Sequence, residues 1–396
     1  MPRTIATTVA PRAMRAIRSG HPWVFDQSIR TQKPFPEPGD LAVIFDDKRR
    51  FAGIGLADPD SPIAIRMLHH GSPRTIDSAF FANRVDEALE LRTQLTSSTQ
   101  TNGYRLIHGE NDRLPGLIVD QYAGVIVVKI YTKAWLPHLD PVVAHLVARR
   151  SPAAVVLRAS RTVESALPHR GASVLHGDLP DPLVDFTENG LHFLADVIAG
   201  NKTGHFLDQR DNRQRIRERS ENRSVLDVFS STGAFSVYSA AGGARSITAI
   251  DIADRALATA AANVKANNLN PPGGFRTIRG DAFAELASLG TARERFDIVI
   301  VDPPSFAPKQ SDIARALAAY RKLTRAAIEV LSPGGLLVQA SCSARVSEEA
   351  FRAAILDELD RSQRTFARIE SFGHPLDHPV GFPEGRYLKA IFARAT

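Results

Sequence analysis

The chain of 396 residues is 43% hydrophobic, which is typical of a globular protein with two or three domains. It has no apolar run near the ~20 residues of a membrane span, and its single cysteine excludes an internal disulfide and a cysteine-based zinc site, so that a reducing cytoplasm is expected. The formal net charge of +6 favours a polyanionic partner such as RNA.

Arginine supplies most of the positive charge, with 40 arginines against nine lysines. Guanidinium groups bind phosphate through a planar fork and stack on bases, which suits RNA. Codon bias in a GC-rich genome accounts for the excess equally well. The net charge is therefore the better indication of the partner.

Residues 1–74 are predicted to form a small β-rich domain. Short apolar runs at Leu41–Phe45 and Ile63–Leu68 alternate with prolines and glycines, as in a barrel of short strands. Several arginines precede the first acidic residue, as in an organelle transit peptide. Because Trp23–Phe25 already has the character of a folded segment, we expect the N-terminus to be an arm of this domain without a cleaved leader.

Residues 75–185 are predicted to form an α+β middle domain, with a boundary near the prolines of Asp178–Asp185. A helix is expected over about Asp77–Leu95, and its apolar face consists of Phe81, Val85, Ala88 and Leu89. A second helix is expected at Pro137–Arg149. The expected strands are Tyr104–Ile107, Gly116–Val119, Val125–Tyr131 and Ala154–Leu157.

Residues 186–396 begin with a predicted strand at Gly190–Val197, which leads into a loop at Lys202–Arg210. The next segment, Arg210–Arg223, has six arginines among acidic residues at helical spacing. Such mixed charge is typical of a solvated helix face, and contact with RNA is the alternative interpretation.

The central feature of this third part is a predicted βαβ unit. The strand Ser224–Val228 enters a turn of small residues that opens a helix at Ser236–Ala241, and a second strand, Ser246–Ile250, ends at Asp251. The 24 residues from Asp227 to Asp251 suit one such unit. An acid at the end of the second strand is well placed to accept both hydroxyls of a ribose.

Two more junctions between a strand and an acid follow, at Gly280-Asp281 and at Phe296–Val301 before Asp302. In an open parallel sheet, ligands bind beyond the carboxyl ends of the strands, where these acids are expected to lie. A helix at Ile313–Leu331 and a strand at Leu336–Ala340 then bring Cys342 to the same edge. The apolar positions of the preceding Ala-rich helix are Leu257, Ala261 and Val264.

The turn after the first strand has one glycine, Gly233, whereas a dinucleotide-binding turn needs three. A nucleoside without a pyrophosphate therefore fits this turn better than NAD does, and an NAD oxidoreductase is disfavoured. Partners for ribose and adenine, with room for an amino-acid tail, describe S-adenosylmethionine.

The motifs of this third part resemble, in order, those of a class I methyltransferase. The matching segments are Asp227–Phe235, Asp251, Asp281, Asp302–Phe306 and Ser341–Ser343. In addition, Lys202–Arg210, Asp377-His378-Pro379 and Pro383–Lys389 resemble the bacterial family of large-subunit (23S) ribosomal RNA cytosine-5 methyltransferases, and Gly20–Phe25 resembles the start of the PUA domain of that family.

The resemblance covers nearly the whole chain and implies a fold and a set of partners. The expected fold is α/β, with a Rossmann-like class I methyltransferase sheet at 186–396, a small β-barrel PUA domain at 1–74 and an α+β insertion domain at 75–185. The implied cofactor is S-adenosylmethionine and the implied partner is 23S ribosomal RNA. Neither a metal nor a membrane is expected, and a homodimer remains open.

The chemistry of cytosine-5 methylation fits two residues of this edge. C5 is a poor nucleophile until a thiolate adds to C6, and Cys342 is the candidate for that thiolate. A buried, inert cysteine is the alternative. Asp302 is the candidate for the group at N3, and it should lie ~5 to 10 Å from the cysteine if their strands are neighbours, as the class I order implies. A thiolate also needs a nearby positive charge or helix N-terminus.

Residues near Asp302 are expected to contact the substrate. Pro303 and Pro304 fix the backbone beyond the acid, and Phe306 is placed to stack on a base that has left its stack. Position 305 is Ser, where many RNA cytosine-5 enzymes have a second cysteine that releases the product, so the release step has no assigned residue.

The cofactor-binding residues are carried over from the family motifs. Asp251 is expected at the ribose, Asp227 at the methionine amino group and Arg210 at its carboxylate, whereas Asp281 and Ala282 are expected beside the adenine. The complete expected set is Phe206, Gln209, Arg210, Asp227, Phe229, Ser230, Thr232, Gly233, Asp251, Ile252, Asp281, Ala282 and Asp302. Ser231 and His205 depart from the aromatic residues that the family often has.

Two other functions remain open. An Asp-Pro-Pro-aromatic arrangement also holds the exocyclic amine of a base in N-methyltransferases, in which Cys342 would be dispensable, although Ser305 makes this loop one residue longer than usual. A non-catalytic RNA-binding assembly factor is the alternative from a different class.

Overall fold

The computed structural model describes residues 2–167 and 171–396, and their contacts divide the chain into two compact units. The first unit runs to Thr187 and includes Leu194–Leu207 and Leu376–Phe382. The second unit consists of Glu188–Phe193, Asp208–Pro375 and Pro383–Thr396. Each unit is described by itself.

The N-terminal part of the first unit is a β-rich sheet with one amphipathic helix against it. Its elements are β1 (Thr4–Val9), α1 (Pro11–Arg18), β2 (Trp23–Val24), β3 (Ile29–Lys33), β4 (Leu41–Phe45), β5 (Phe51–Ala57) and β6 (Ile65–His70). The strand order is β2-β6-β5-β4-β1-β3, in which β1 and β4 are parallel. Pro11 starts α1, where its missing N–H costs nothing, and Ile17 of this helix is fully buried in the apolar core.

The rest of the first unit is a second sheet, with helices on one face. Its elements are α2 (Ser78–Glu90), α3 (Thr93–Thr96), β7 (Gly103–His108), β8 (Leu117–Tyr122), β9 (Val125–Ile130), α4 (Leu139–Arg150), β10 (Ala154–Ala159), α5 (Arg161–Glu164) and β11 (Ala172–Gly177). The strand order is β11-β10-β9-β8-β7. One shared core holds Phe81 of α2, Leu146 of α4, Val128 of β9 and Leu157 of β10.

The α2 helix is shorter than the sequence predicts. Asp77 is its N-cap and accepts a hydrogen bond from the Phe80 N–H at 2.8 Å. The helix ends at Glu90, and α3 is a separate short turn. The predicted apolar face is confirmed, because Phe81, Val85, Ala88 and Leu89 are buried.

A hairpin of β12 (Leu183–Glu188) and β13 (Leu191–Asp196) follows, and the division between the two units falls within it. The turn at Asn189 and Gly190 has positive φ at both residues, 50° and 76°. Asn-Gly is the residue pair that such two-residue hairpin turns favour.

The second unit is a mostly parallel sheet flanked by helices. Its elements are α6 (Arg210–Arg217), β14 (Ser224–Val228), α7 (Ala234–Ala241), β15 (Ser246–Asp251), α8 (Asp254–Ala266), β16 (Phe275–Arg279), α9 (Ala282–Thr291), β17 (Phe296–Val301), α10 (Ile313–Glu329), β18 (Leu331–Ser341), α11 (Glu348–Arg361), β19 (Phe366–Phe372) and β20 (Lys389–Ala395). The strand order is β16-β15-β14-β17-β18-β20-β19, in which β20 is antiparallel to both neighbours.

Three details of this unit differ from the prediction. The buried position of α8 is Ala260, and Ala261 is exposed. The α10 helix ends at Glu329 rather than Leu331, because β18 already begins at Leu331 beside Phe296. The α6 helix is not a purely solvated face, because Arg213 is 1% exposed and forms a bidentate ion pair with Glu188, at 2.7 and 2.8 Å.

Candidate active site

The turn between β14 and α7 has a backbone that few sequences adopt. Phe229, Ser231 and Gly233 have φ values of 63°, 49° and 72°. A Cβ at position 233 would lie 2.5 Å from the Cβ of Ala260 on α8, so that only glycine allows α7 and α8 to approach. The Ser230 N–H donates to the Ile250 carbonyl at 3.0 Å, which joins the turn to the end of β15.

Asp227 lies in β14 directly behind this turn and is fully buried. Its carboxylate accepts hydrogen bonds from the Ser236 N–H at 3.1 Å and the Ser236 hydroxyl at 2.7 Å. Burial raises the pKa of Asp227 to about 6, and the charge of Asp251 contributes to the rise. The buried carboxyl therefore titrates well above an ordinary aspartate.

Asp251, at the end of β15, shapes two loops. Its carboxylate accepts the Ser231 N–H at 2.9 Å and the Ala253 N–H at 3.0 Å. The next residue, Ile252, is 71% exposed, which is unusual for a large apolar side chain beside a sheet edge. Asp251 thus fixes the turn after β14 through the Ser231 N–H, and it fixes the backbone beside the exposed Ile252 through the Ala253 N–H.

Asp281 is the N-cap of α9. One carboxylate oxygen accepts the Phe283 N–H at 3.0 Å and the Ala284 N–H at 3.1 Å. The neighbouring Ala282 is buried in the core that surrounds α9. The proposed contacts of both residues with adenine stay a prediction.

Asp302 follows β17, and its N–H donates to the Val228 carbonyl of β14 at 3.3 Å. Burial and the nearby charges of Asp208 and Asp227 raise the pKa of Asp302 to about 7, although a hydrogen bond from Gln209 partly opposes the rise. Asp302 therefore titrates much closer to neutral pH than an ordinary aspartate does.

The predicted cofactor loop is divided between the two units. Gln209 and Arg210 belong to the second unit and are buried, and Arg210 Nε lies 3.5 Å from an oxygen of Asp211. Phe206 belongs to the first unit, where the Lys202 ammonium lies 5.9 Å from its ring centroid.

Cys342 follows β18, the strand next to β17, and it is half-buried. Its Sγ lies 4.0 Å from the carbonyl oxygen of Pro303. The strand neighbourhood that was predicted for Cys342 and Asp302 is therefore confirmed, and the Asp-Pro-Pro backbone lies against the thiol. Pro303 is buried, whereas Pro304 is exposed.

A chain of hydroxyl groups surrounds Cys342. The Tyr320 hydroxyl lies 2.8 Å from Ser341 Oγ and 3.0 Å from Ser343 Oγ, and Ser343 Oγ lies 3.1 Å from Ser305 Oγ. The Tyr320 ring also packs 5.3 Å from the ring of Phe306, which is half-buried. Both residues that flank the cysteine in sequence thus fix the loop that carries it.

Lys389 is a buried cation at the same edge. It is the first residue of β20 and pairs with Ser341 in the antiparallel register of β18 and β20. Its Nζ donates to the carbonyl oxygens of Ser343 and Val346, each at 2.7 Å. Burial lowers the pKa of Lys389 to about 8, whereas the charges of Cys342 and Glu348 oppose that shift.

The sequence matches a family model of S-adenosylmethionine-dependent methyltransferases over residues 104–394, and a model of PUA-like domains over residues 8–70. The first match covers well over half of the chain. The chain belongs to the S-adenosylmethionine-dependent methyltransferase family.

Two curated relatives of this methyltransferase align along its whole length. A Deinococcus radiodurans protein named ribosomal RNA large subunit methyltransferase is 44% identical, over 97% of this chain and 96% of its own. A Shewanella frigidimarina protein named ribosomal RNA large subunit methyltransferase I is 35% identical, over 98% of this chain and 99% of its own.

Solved structures agree on the fold of the methyltransferase. A Streptococcus mutans structure, described as a candidate SAM-dependent methyltransferase, has a TM-score of 0.85 and 22% identity, over 98% of this chain and 99% of its own. Another, in complex with SAH, has the same TM-score and identity over 99% and 100%. The predicted Rossmann-like sheet, preceded in the sequence by a PUA-like domain, is confirmed.

S-adenosylmethionine is the cofactor of this methyltransferase, and the edge of the second unit suits it. Burial and neighbouring carboxylates raise the pKa values of Asp227 and Asp302, and the cofactor carries both an ammonium and a sulfonium. In the described residues, the buried Ser230 hydroxyl has no hydrogen-bond partner, which leaves it available to a ligand.

Sequence reasoning missed several residues of the methyltransferase site. Lys389 ends the Pro383–Lys389 segment that resembles the family, but the resemblance implies no role for it. Its position opposite Ser341 depends on strand pairing. Tyr320, and the hydrogen bond from the Tyr387 hydroxyl to Asp208 at 3.0 Å, have no local sequence signal. A lysine at the start of the apolar strand Lys389–Ala395 is the one hint available, because charged residues are rare in such strands.

Two general features complete the methyltransferase site. The described residues contain no group of three or more His, Cys, Asp and Glu side chains that could hold a metal ion. Within the same residues, none of the helices combines the length and the apolar character needed to cross a bilayer.

Proposed function

We propose that this methyltransferase forms 5-methylcytosine in large-subunit ribosomal RNA, through a covalent bond between Cys342 Sγ and C6 of the cytosine. The observation that carries the proposal is the position of Cys342 against the Asp302-Pro303-Pro304 backbone, with Lys389 beside it. The substrate class is supported by the names of relatives that are 44% and 35% identical over the full length. We propose 23S RNA as the partner of the protein and the cytoplasm as the location of the protein.

The reaction begins with attack of the thiolate on C6, which moves electron density to C5 and N3 as N3 takes a proton from Asp302. S-adenosylmethionine, when bound, would supply the methyl group that C5 takes, with S-adenosylhomocysteine as the second product. Loss of the C5 proton to a base, expulsion of the thiolate from C6 and return of the N3 proton to Asp302 then restore the aromatic ring. Cys342 ends the cycle as it began.

Asp302 is the proposed proton donor to N3. A pKa of about 7 leaves a large protonated fraction at neutral pH, and a proton donor works best when its pKa is near the operating pH. Pro303, Pro304 and Phe306 are the proposed contacts of the target base.

Lys389 is the proposed source of the positive charge that a thiolate needs. Its two hydrogen bonds to Ser343 and Val346 hold the ammonium at the backbone just after Cys342. Because these acceptors are neutral carbonyls, the charge of Lys389 stays available to Cys342.

The cofactor contacts that we propose follow from the edge of the second unit. Asp227 supplies negative charge for the ammonium, protonated Asp302 is a neutral contact, and Asp251 accepts the ribose hydroxyls with the oxygen capacity left beside its two backbone contacts. The remaining proposed contacts of the second unit are Gln209, Arg210, Phe229, Ser230, Thr232, Gly233, Ile252, Asp281 and Ala282. The cofactor role of Phe206, in the first unit, stays a prediction from the sequence.

The test compares wild type with Cys342→Ala on an in vitro transcript of 23S RNA that contains 5-fluorocytidine. The last steps need a base to remove the C5 hydrogen as a proton. Fluorine at C5 cannot be removed in this way, so the covalent intermediate accumulates. Wild type should give a slowly migrating protein–RNA adduct on a denaturing gel. The variant should give no adduct, and no 5-methylcytosine in ordinary transcript by mass spectrometry.

Other outcomes select the alternatives. Methylation of ordinary transcript by Cys342→Ala, with the methyl group on an exocyclic nitrogen, contradicts the thiolate mechanism and supports an N-methyltransferase. Tight binding of the transcript by wild type without any methyl transfer supports a non-catalytic assembly factor.

A further inference from the structure

Two cations lie side by side on the sheet of the first unit, on the face away from its helices. The parallel pairing of β9 and β10 sets Lys129 directly opposite Arg158. The adjacent residues Val128 and Leu157 pack in the helix-side core, and successive side chains of a strand point to opposite faces. Like charges directly opposite each other destabilise a sheet, so stability does not account for this pair.

A third cation lies in a loop that the first two hold. Lys129 Nζ donates to the carbonyl of Lys202 at 2.8 Å, and Arg158 Nη2 donates to the carbonyl of Gly200 at 2.7 Å. Lys202 is exposed, and its φ of 57° is left-handed. We name Lys129, Arg158 and Lys202 the cationic cluster.

The cluster carries three positive charges, and the carboxylate that acts most on Arg158 is Asp196, whose charge opposes the lowering of the Arg158 pKa by burial. Across residues 2–167 and 171–396, none of its three side chains forms an ion pair within 4 Å. The neighbouring Asp120 is bound to Arg105 at 2.7 and 2.9 Å. In the same described residues, Arg158 Nη1 is buried without a hydrogen-bond partner. Burial and the charges of the other two members lower the pKa of Lys129 to about 8.

An exposed aromatic ring adjoins the cluster. Tyr131 is 44% exposed, and the Lys129 ammonium lies 5.6 Å from its ring centroid. Tyr131 lies one residue beyond the end of β9, and its contact with the Lys129 ammonium places the ring beside the cluster. Cations beside a flat exposed ring are the combination with which proteins bind single-stranded nucleic acid, since the cations contact phosphates and the ring stacks on a base.

We propose that the cationic cluster and Tyr131 form an RNA-binding site of the first unit, in which the cluster contacts phosphodiester oxygens of a single-stranded segment and Tyr131 stacks on one of its bases. A site that served only to hold the Gly200–Lys202 loop would need N–H donors but no charge. The identity of the RNA as large-subunit ribosomal RNA rests on the proposed function.

The test measures the affinity of full-length variants for an in vitro transcript of 23S RNA as a function of salt concentration. Lys202→Gln removes a charge but keeps the backbone carbonyl that Lys129 binds, and Lys129→Gln keeps an N–H donor. Each should weaken binding severalfold and lower the slope of log affinity against log salt by about 0.7, the value for one contact with a single-stranded phosphate. Tyr131→Ala should weaken binding without changing that slope.

Arg149→Gln is the matched control. It also removes one positive charge from the first unit. Arg149, however, lies on α4, on the helix side of the sheet, and pairs with Asp86 at 2.9 Å. This variant should bind the transcript as wild type does. Thermal melting checks that each variant is folded.

Two results would overturn the inference: unchanged affinity and salt slope in both Gln variants, or weakened binding of S-adenosylmethionine in calorimetry with RNA binding intact, which would assign the cluster to the cofactor loop. Methylation of the transcript by wild type is scored separately. Variant-sensitive RNA binding without methyl transfer supports the site and contradicts the proposed function alone.

Discussion

At the scale of single residues, Cys342 offers an unusually direct assay because it is the only cysteine of the chain. Alkylation of the protein therefore reports one thiolate. Lys389→Met removes the buried ammonium while keeping similar bulk, and we expect the alkylation rate at pH 7 to fall about tenfold, because a nearby positive charge favours the thiolate. The pH dependence of alkylation should move to higher pH.

The structural role of Lys389 has a separate readout. Loss of its hydrogen bonds to Ser343 and Val346 removes a donor from two buried carbonyls, of which the Ser343 oxygen still accepts the Val346 N–H at 3.2 Å. A buried carbonyl left unpaired costs about 1–3 kcal/mol. Lys389→Arg keeps the charge and should restore alkylation. Lower thermal stability of Lys389→Met with an unchanged pH dependence of alkylation would limit Lys389 to that structural role.

Asp302 predicts the alkaline side of the pH profile. If protonated Asp302 donates to N3, kcat/KM should fall as pH rises through its pKa of about 7, since kcat/KM reports the free enzyme. Asp302→Asn should lower kcat/KM by ~10²–10⁴, the usual contribution of a proton donor, and the remaining activity should lose this alkaline limb. A limb that persists in Asp302→Asn belongs to another group.

At the scale of elements, the turn between β14 and α7 depends on Gly233. Gly233→Ala adds the cost of φ +72° and places a Cβ 2.5 Å from the Ala260 Cβ, so α7 and α8 must separate. Gly274→Ala is the matched control, because φ is +85° and nothing lies within 4 Å. We expect about 1 kcal/mol of destabilisation for Gly274→Ala, clearly more for Gly233→Ala, and weaker cofactor binding for Gly233→Ala alone. Equal melting temperatures would refute the steric argument.

Elements of this sheet could be predicted from sequence because their signals are local. Alternating or continuous apolar runs predict β14, β15 and β17. The β15 strand ends at Asp251 and β17 ends one residue before Asp302, whereas Asp227 lies within β14. The register of β20 against β18, in contrast, could not be predicted from a local signal. Lys389 meets Ser341 across 48 residues of sequence, so its proximity to Cys342 follows from strand pairing and not from any local pattern.

Buried polar pairs are the other feature that the sequence does not predict. Arg213 is one of several arginines on α6, and nothing in the sequence distinguishes it from the half-buried Arg215 and Arg217. Its partner Glu188 is 25 residues away and also accepts the Tyr238 hydroxyl at 2.9 Å. A helix of mixed charge is usually solvated, and tertiary contact overrode that tendency here. The domain limits at 74 and 185 stay predictions.

At the scale of the whole molecule, the raised pKa values of Asp227 and Asp302 link stability, pH and cofactor binding. Their values of about 6 and about 7 lie above the ordinary 3.8. The folded state therefore holds more protons than the unfolded state between about pH 4 and pH 7, and the free energy of unfolding without cofactor should fall as pH rises through that window. Denaturant titrations from pH 5 to pH 8 measure this slope.

The cofactor should oppose that trend at Asp227, because its ammonium favours the ionised carboxylate. Binding at pH 6 should release about half a proton from Asp227, which calorimetry in two buffers of different ionisation enthalpy counts. The rise in melting temperature on adding S-adenosylmethionine should accordingly be larger at pH 8 than at pH 5.5. Asp227→Asn is the control, since it removes this titrating carboxyl and should abolish the proton release. Binding without any exchange of protons would mean that Asp227 does not meet the positive charge of the cofactor, and the ammonium would then have to be bound elsewhere.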